Sequence, residues 1–231
     1  MKEGVCQIFV INVHMYEHPD NLRFLRDIEE WLGKPITILK SPDYEDIFDV
    51  FRKTRWLVGL AGARCTTELK KNVRRAYERP DDIHVFGFTV EEKGRIDRFH
   101  GENPELRVEF PLYDRKITKA DCHQIIREAG IELPALYRMG YRNNNCIGCV
   151  KGGLGYWNKI RVDFPDAFDR MAKMERELDV AINKTETLEG GKRIRHRVFL
   201  DELDPTLGAY RAEPDIECGV LCLSEARLQE I

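Results

Sequence analysis

The 231-residue sequence has no apolar run approaching the roughly 18 residues that a membrane span requires, and residues 1–10 lack the basic start and small-residue cleavage site of a secretory leader. Both absences predict a cytoplasmic protein with no membrane attachment. Charge of one dominant sign is lacking too. The 37 Lys and Arg and 40 Asp and Glu are interspersed and leave a net charge of −3, so bulk charge indicates neither a nucleic-acid nor a lipid partner. Internal repeats and low-complexity stretches are also missing. Disulfides are rare in a reducing compartment, so the seven cysteines are expected to be small buried residues or thiolates with a chemical role.

What is present reads as one α/β domain with an appended segment. Residues 5–13 (VCQIFVINV) form a β-branched, nearly all-apolar run, the pattern of a strand covered on both faces. Pro19 and Asp20 open a helical pattern through Leu22, Leu25, Ile28 and Leu32, stopped by Gly33 and Pro35. A short strand over 36–40 completes a βαβ unit. Farther on, 67–77 predicts a helix, 83–89 (IHVFGFT) a buried strand and 106–110 a shorter strand. Thr118 is placed to cap a helix to Glu128 that Gly130 stops. The Asn-, Gly- and Cys-rich stretch 141–156 predicts an irregular loop. A charged amphipathic helix over 165–183 should turn Phe168, Met171, Met174 or Glu175, and Leu178 inward. Gly190 and Gly191 then mark a hairpin before a tail. Trp31, Trp56 and Trp157 are most simply core or domain-contact residues.

Cysteine spacing carries the chemistry. Cys146 and Cys149 form a CxxC pair in a Gly/Asn loop, where two thiolates can turn toward one centre; two loop cysteines with no ligand are the plain alternative. Cys218 and Cys222 form CxxxC, and Cys65 stands alone at the start of the 67–77 pattern. Cys6 and Cys122 occupy strand and helix positions where a small buried residue is expected. His14 and His18 lie near the first strand's end, with no evident partner for His14.

Several segments add to these cysteines: Glu17-His18-Pro19-Asp20-Asn21-Leu22, Cys65-Thr66-Thr67-Glu68-Leu69-Lys70, Gly87-Phe88-Thr89 with Glu92 and Arg95, Phe110-Pro111-Leu112, Pro134-Ala135-Leu136-Tyr137 and Glu217-Cys218-Gly219. In that order they resemble the phosphoadenosine phosphosulfate reductase family of the PP-loop, adenine-nucleotide superfamily. The resemblance implies a Rossmann-like parallel sheet flanked by helices over 1–140, with a Cys-containing loop, long helix, hairpin and tail over 141–231. It implies thiol-dependent reduction of an adenine sulfonucleotide to sulfite, or a related sulfur transfer using ATP, with a thioredoxin-type reductant. Cys65, Cys146, Cys149 and a tail cysteine, Cys218 or Cys222, would ligate an iron–sulfur cluster of 4Fe–4S type, with zinc as the alternative. Gly87, Glu92, Arg95 and Lys70 would meet the nucleotide. Cys218 is alternatively the nucleophile that attacks substrate sulfur.

The sequence departs from the family in three places. Thr66 stands where a second cysteine is expected, no histidine follows Glu217-Cys218-Gly219, and there is no Ser-Gly-Gly-x-x-Ser phosphate turn. The first strand resembles the family's second. A fragment and a natural short form are both consistent with that pattern, as is a non-catalytic, metal-stabilised subunit. Either way an exposed sheet edge is expected, covered by a partner chain, self-association or a rearranged strand order.

Overall fold

The computed structural model describes residues 8–11, 16–59 and 62–216. The chain is mixed α/β. Strand β1 (Ile8–Ile11), helix α1 (Asp20–Leu32) and strand β2 (Ile36–Leu39) form the expected βαβ unit, with β1 and β2 parallel and Ile8 opposite Ile36. Gly33 ends α1 in the left-handed conformation, at φ 59°. Asp20 opens it: its carboxylate binds Arg23 and accepts from the Ala135 N–H at 2.8 Å. The Arg23 hydrogen bond holds Asp20 down at about 2.

Helix α2 (Ile47–Thr54) has no counterpart in the sequence reading. The Asp46 carboxylate caps it, accepting from the Asp49 N–H at 2.8 Å, and Ile47, Phe48, Val50 and Phe51 are buried. A small antiparallel pair follows, β3 (Val58–Gly59) and β4 (Gly62–Ala63). The helix expected over 67–77 begins earlier and in three parts: α3 (Arg64–Thr66), a π turn (Thr67–Lys71) and α4 (Asn72–Tyr77).

A second parallel pair joins β5 (Ile83–Val85) to β6 (Arg107–Glu109), with α5 (Lys93–Glu102) between them. The reading of 83–89 as a buried strand is corrected here. Only three residues pair, and Ile83 and Val85 are 54% and 59% exposed. Phe86, Phe88, Phe99 and Phe110 instead pack together as a separate aromatic cluster with Ile96. Short α6 (Pro111–Asp114) precedes α7 (Lys119–Glu128), whose N-terminus is closed by a capping box between Thr118 and Asp121, as Thr118 predicts. Gly130 follows at φ 75°.

After α8 (Ala135–Arg138) the irregular loop ends sooner than expected, because α9 (Leu154–Asp163) already contains Tyr156 and Trp157. Helix α10 (Pro165–Leu178) stops at Asp179 and does not reach 183. Phe168, Met171, Met174, Glu175 and Leu178 are buried, so Met174 and Glu175 both face inward. The main core joins α2, the α3 region, the cysteine loop, α9 and α10. Trp157 is fully buried in it, whereas Trp31 and Trp56 are 46% and 43% exposed and belong to no core.

The antiparallel hairpin of β7 (Asn183–Glu189) and β8 (Lys192–Val198) turns through Gly190 and Gly191, at φ 57° and 79°. Positive φ at both central residues is what a type I′ two-residue hairpin turn requires. Among the described residues the eight strands form four separate two-stranded sheets, and no helix is long and apolar enough to cross a membrane.

Candidate functional site

Three cysteines separated in sequence converge on the main core. Cys65, in α3, and Cys146 and Cys149, in the loop before α9, are each 8–9% exposed and belong to one cluster with Leu69, Tyr156 and Trp157. The loop is shaped by its surroundings. Gly148 takes φ 70°, and a Cβ there would stand 3.1 Å from the Trp157 ring, so the residue between the two thiols is required to be small as well as left-handed. The Tyr156 hydroxyl accepts from the Cys149 N–H at 2.9 Å and donates to the Cys146 carbonyl at 3.2 Å. One phenol thus holds both ends of the CxxC. Burial, with the adjacent Cys149 and Cys146 adding to it, keeps that phenol well above its ordinary pKa and protonated.

A polar group lies alongside. The Ile147 N–H donates to the Tyr16 carbonyl at 2.9 Å, tying the loop to the chain just after β1. Tyr16 itself sits at φ 96°, a costly conformation for a bulky residue that persists only where its surroundings enforce it. Asn21 donates to Glu17 at 2.8 Å and accepts from Asn144 at 2.9 Å. Burial raises the Glu17 carboxyl, while Asn21 and the charge of Lys70 pull it down. The sequence segments beginning at Glu17 and at Cys65 therefore meet, with the π turn bringing Lys70 to Glu17. π turns concentrate at functional positions because they widen a helix and re-aim its side chains.

Gly87, Glu92 and Arg95 belong to the other cluster. Glu92 accepts from the Thr89 N–H at 2.9 Å as part of a capping box, and Arg95 pairs with Glu92 and lies over the Phe88 ring, 4.5 Å from its centroid. Both side chains are engaged in local structure. Half-buried Lys119 stands between this cluster and the cysteine loop: its ammonium donates to the Arg142 carbonyl and, at 2.5 Å, to Asn143 Oδ1. Burial lowers its pKa against the opposing charges of Asp215, Glu92 and Glu91.

Residues 204–216 cross this region as a strap. The Glu213 carboxylate accepts from the Gly155 and Tyr156 N–H groups at 2.5 and 3.0 Å, satisfying the N-terminus of α9. Arg142 donates to the carbonyls of Tyr210 and Glu213 and pairs with Asp215 at 3.1 Å. Asn145 donates to the Ile216 carbonyl at 2.8 Å. A cleft between loop and strap is lined by Tyr141, Arg142, Cys146, Tyr156, Tyr210 and Asp215.

Thiolates suit zinc or an iron–sulfur centre, and the Thr66 hydroxyl beside Cys65 is fully buried without a hydrogen-bond partner among the described residues. Even so, among the described residues no three His, Cys, Asp or Glu side chains are gathered closely enough to hold a metal. Cys6, His14, Glu217, Cys218 and Cys222 lie outside the described residues. Cys122 is partly buried, and that burial raises its thiol pKa. Sequence reasoning missed Tyr156, Asn21, Asn144, Arg142 and Glu213. A tyrosine three residues into a helix after a Gly-Gly step carries no signature of its own, and the Asn-rich composition of the loop was the only trace of its side-chain bonding.

The chain matches no model of a known protein family, no curated protein and no solved structure.

Proposed function

We propose that the chain is a sulfonucleotide-reductase-like protein of the PP-loop superfamily whose Cys65, Cys146 and Cys149, with one tail cysteine, hold an iron–sulfur centre. The observation that carries this reading is the convergence of the three cysteines in one buried cluster from chain positions about eighty residues apart. The pairs β1–β2 and β5–β6, each parallel and each with a helical crossover, are read as two parts of one Rossmann-like sheet. Bound there, the centre would cross-link the α3 region, the cysteine loop and the tail through their thiolates. The protein's own groups would do the rest. Lys70 and Lys119 attract the anion, and the Tyr156 phenol fixes the loop. The Cys218 thiolate would attack the sulfur of the sulfonucleotide, its S–O bond breaking to release the nucleotide phosphate and leave S-sulfocysteine. A thioredoxin-type thiolate then attacks the Cys218 sulfur and expels sulfite. Its second thiol resolves the mixed disulfide, restoring Cys218 and oxidising the reductant.

A second reading is a non-catalytic subunit in which the same cysteines pin the tail to the domain. It is favoured by Arg95, which is committed to Glu92 and Phe88. Anaerobic purification with iron, sulfide and zinc analysis tests the centre, and sulfite release from phosphoadenosine phosphosulfate with thioredoxin tests the chemistry. Iron and sulfide lost in Cys146→Ala together with sulfite release supports the first reading. Metal without sulfite supports the second, and metal-free, normally folded protein ends both.

A further inference from the structure

The β7–β8 hairpin has a charge arrangement that the net charge of the chain conceals. Residues 183–198 contain five Lys and Arg against two Glu, a net charge of +3 on a chain that totals −3, so the remainder is correspondingly acidic. Lys192 through Arg197 are all exposed. Alternation puts Arg193, Arg195 and Arg197 on one face of β8, and the register adds Lys184, directly opposite Arg197, to that face. Like charges facing each other across a ladder destabilise it. Glu186, opposite Arg195, can offset only part of this: it reaches Arg195 at 2.8 Å and Arg193 at 3.8 Å, both more than 70% exposed, and neither Lys184 nor Arg197 has an ion-pair partner among the described residues.

The hairpin is also firmly rooted. The buried Glu175 carboxylate of α10 accepts from the Ile182 and Leu200 N–H groups, each at 2.6 Å, closing the base on both sides. A fixed ribbon about 24 Å long thus holds four cations on one face at a cost to its own stability.

We propose that this ribbon binds the phosphate backbone of duplex DNA. A two-stranded ribbon fits the major groove, and arginine grips phosphate through two parallel hydrogen bonds. No Phe, Tyr or Trp lies in 183–198, and the one imidazole, His196, is bonded to Thr187, so the ribbon offers little stacking platform for single strands. Its exposed large apolar side chains are Leu188 and Ile194 alone, too little to enter a bilayer. The inference goes beyond the cysteine site and does not depend on it.

The test is fluorescence anisotropy of the full chain with a short labelled DNA duplex. Three or four phosphate contacts predict that affinity falls roughly a hundredfold between about 50 and about 200 mM salt. Lys184→Glu is the diagnostic variant, because it turns the like-charge pair into an opposite one. It should weaken duplex binding several-fold while the melting temperature holds or rises, and Arg193→Gln should lower the salt slope by about one. Iron content should stay constant throughout, so failure here is distinguishable from failure of the cysteine centre. Three results would overturn the proposal: no binding at low salt, binding indifferent to both variants, or stronger capture by polyglutamate or anionic vesicles than by the duplex.

Discussion

The cysteine loop and the β7–β8 ribbon lie within one half of the chain and are built on opposite terms. In the loop, the groups around the thiols are already spent: Tyr156 on two backbone groups, Asn144 on Asn21, Asn145 on the strap. In the ribbon, Lys184 faces Arg197, and among the described residues neither has an ion-pair partner. The difference teaches where each region can accept a ligand. A buried, densely packed loop can take one only by giving up contacts it already makes, whereas an exposed ribbon with unmet charge can take one across its face.

The largest expected effect lies in the loop. Trp157→Ala removes the fully buried ring packed on Gly148, and denaturant unfolding should show a loss of about 3–5 kcal/mol. A loss under 1 kcal/mol would mean that the loop is not built on this core. At the junction of the two regions, the carboxyl of Glu175 is raised by burial to about 7. A raised carboxylate contributes stability that is full below its ordinary value of 4.5 and lost as pH climbs through about 7. Relative to Glu175→Gln, the protein should therefore lose roughly 3 kcal/mol between those limits; parallel pH profiles would refute this. Tyr156→Phe strips the hydroxyl from Cys149 N–H and the Cys146 carbonyl, and should cost about 1–3 kcal/mol with faster hydrogen exchange at Cys149. The smallest effect belongs to the ribbon surface: Leu188→Thr, at a position 76% exposed, should stay within about 0.5 kcal/mol. A larger change would mean that the hairpin packs against something.

Local chemistry made part of this legible from sequence. The Thr118 cap, the Gly190-Gly191 turn, the α1 stop at Gly33 and the inward face of α10 follow from residue type and period, and each is present. Helix α2 was missed although Ile47, Phe48, Val50 and Phe51 stand at i, i+1, i+3 and i+4, because IFDVFRKT gives little more than two turns over which to see the period. Ile83 and Val85 misled in the opposite direction, since a β-branched run signals a strand but cannot say what will cover it. At the site, thiol spacing was readable while the groups holding it were not: Asn21 and Asn144 are 123 residues apart, and no local pattern encodes such a bond. The ribbon's charge was visible all along, but averaging over the chain erased it.

The π turn at Thr67–Lys71 also acts as a phase adjuster between two cores. Upstream of its end, Cys65 and Leu69 face the cysteine cluster; downstream, Arg74 lies over Phe99 of the aromatic cluster, 5.7 Å from its centroid. A wide turn of this kind takes up about one residue more than regular winding needs, and an α-helix advances about 100° per residue, so winding the same residues as a regular helix would swing everything to Tyr77 by about that angle. Each core could form on its own after such a change, but they would no longer be in register with each other, whereas deleting one residue within the turn would keep them so.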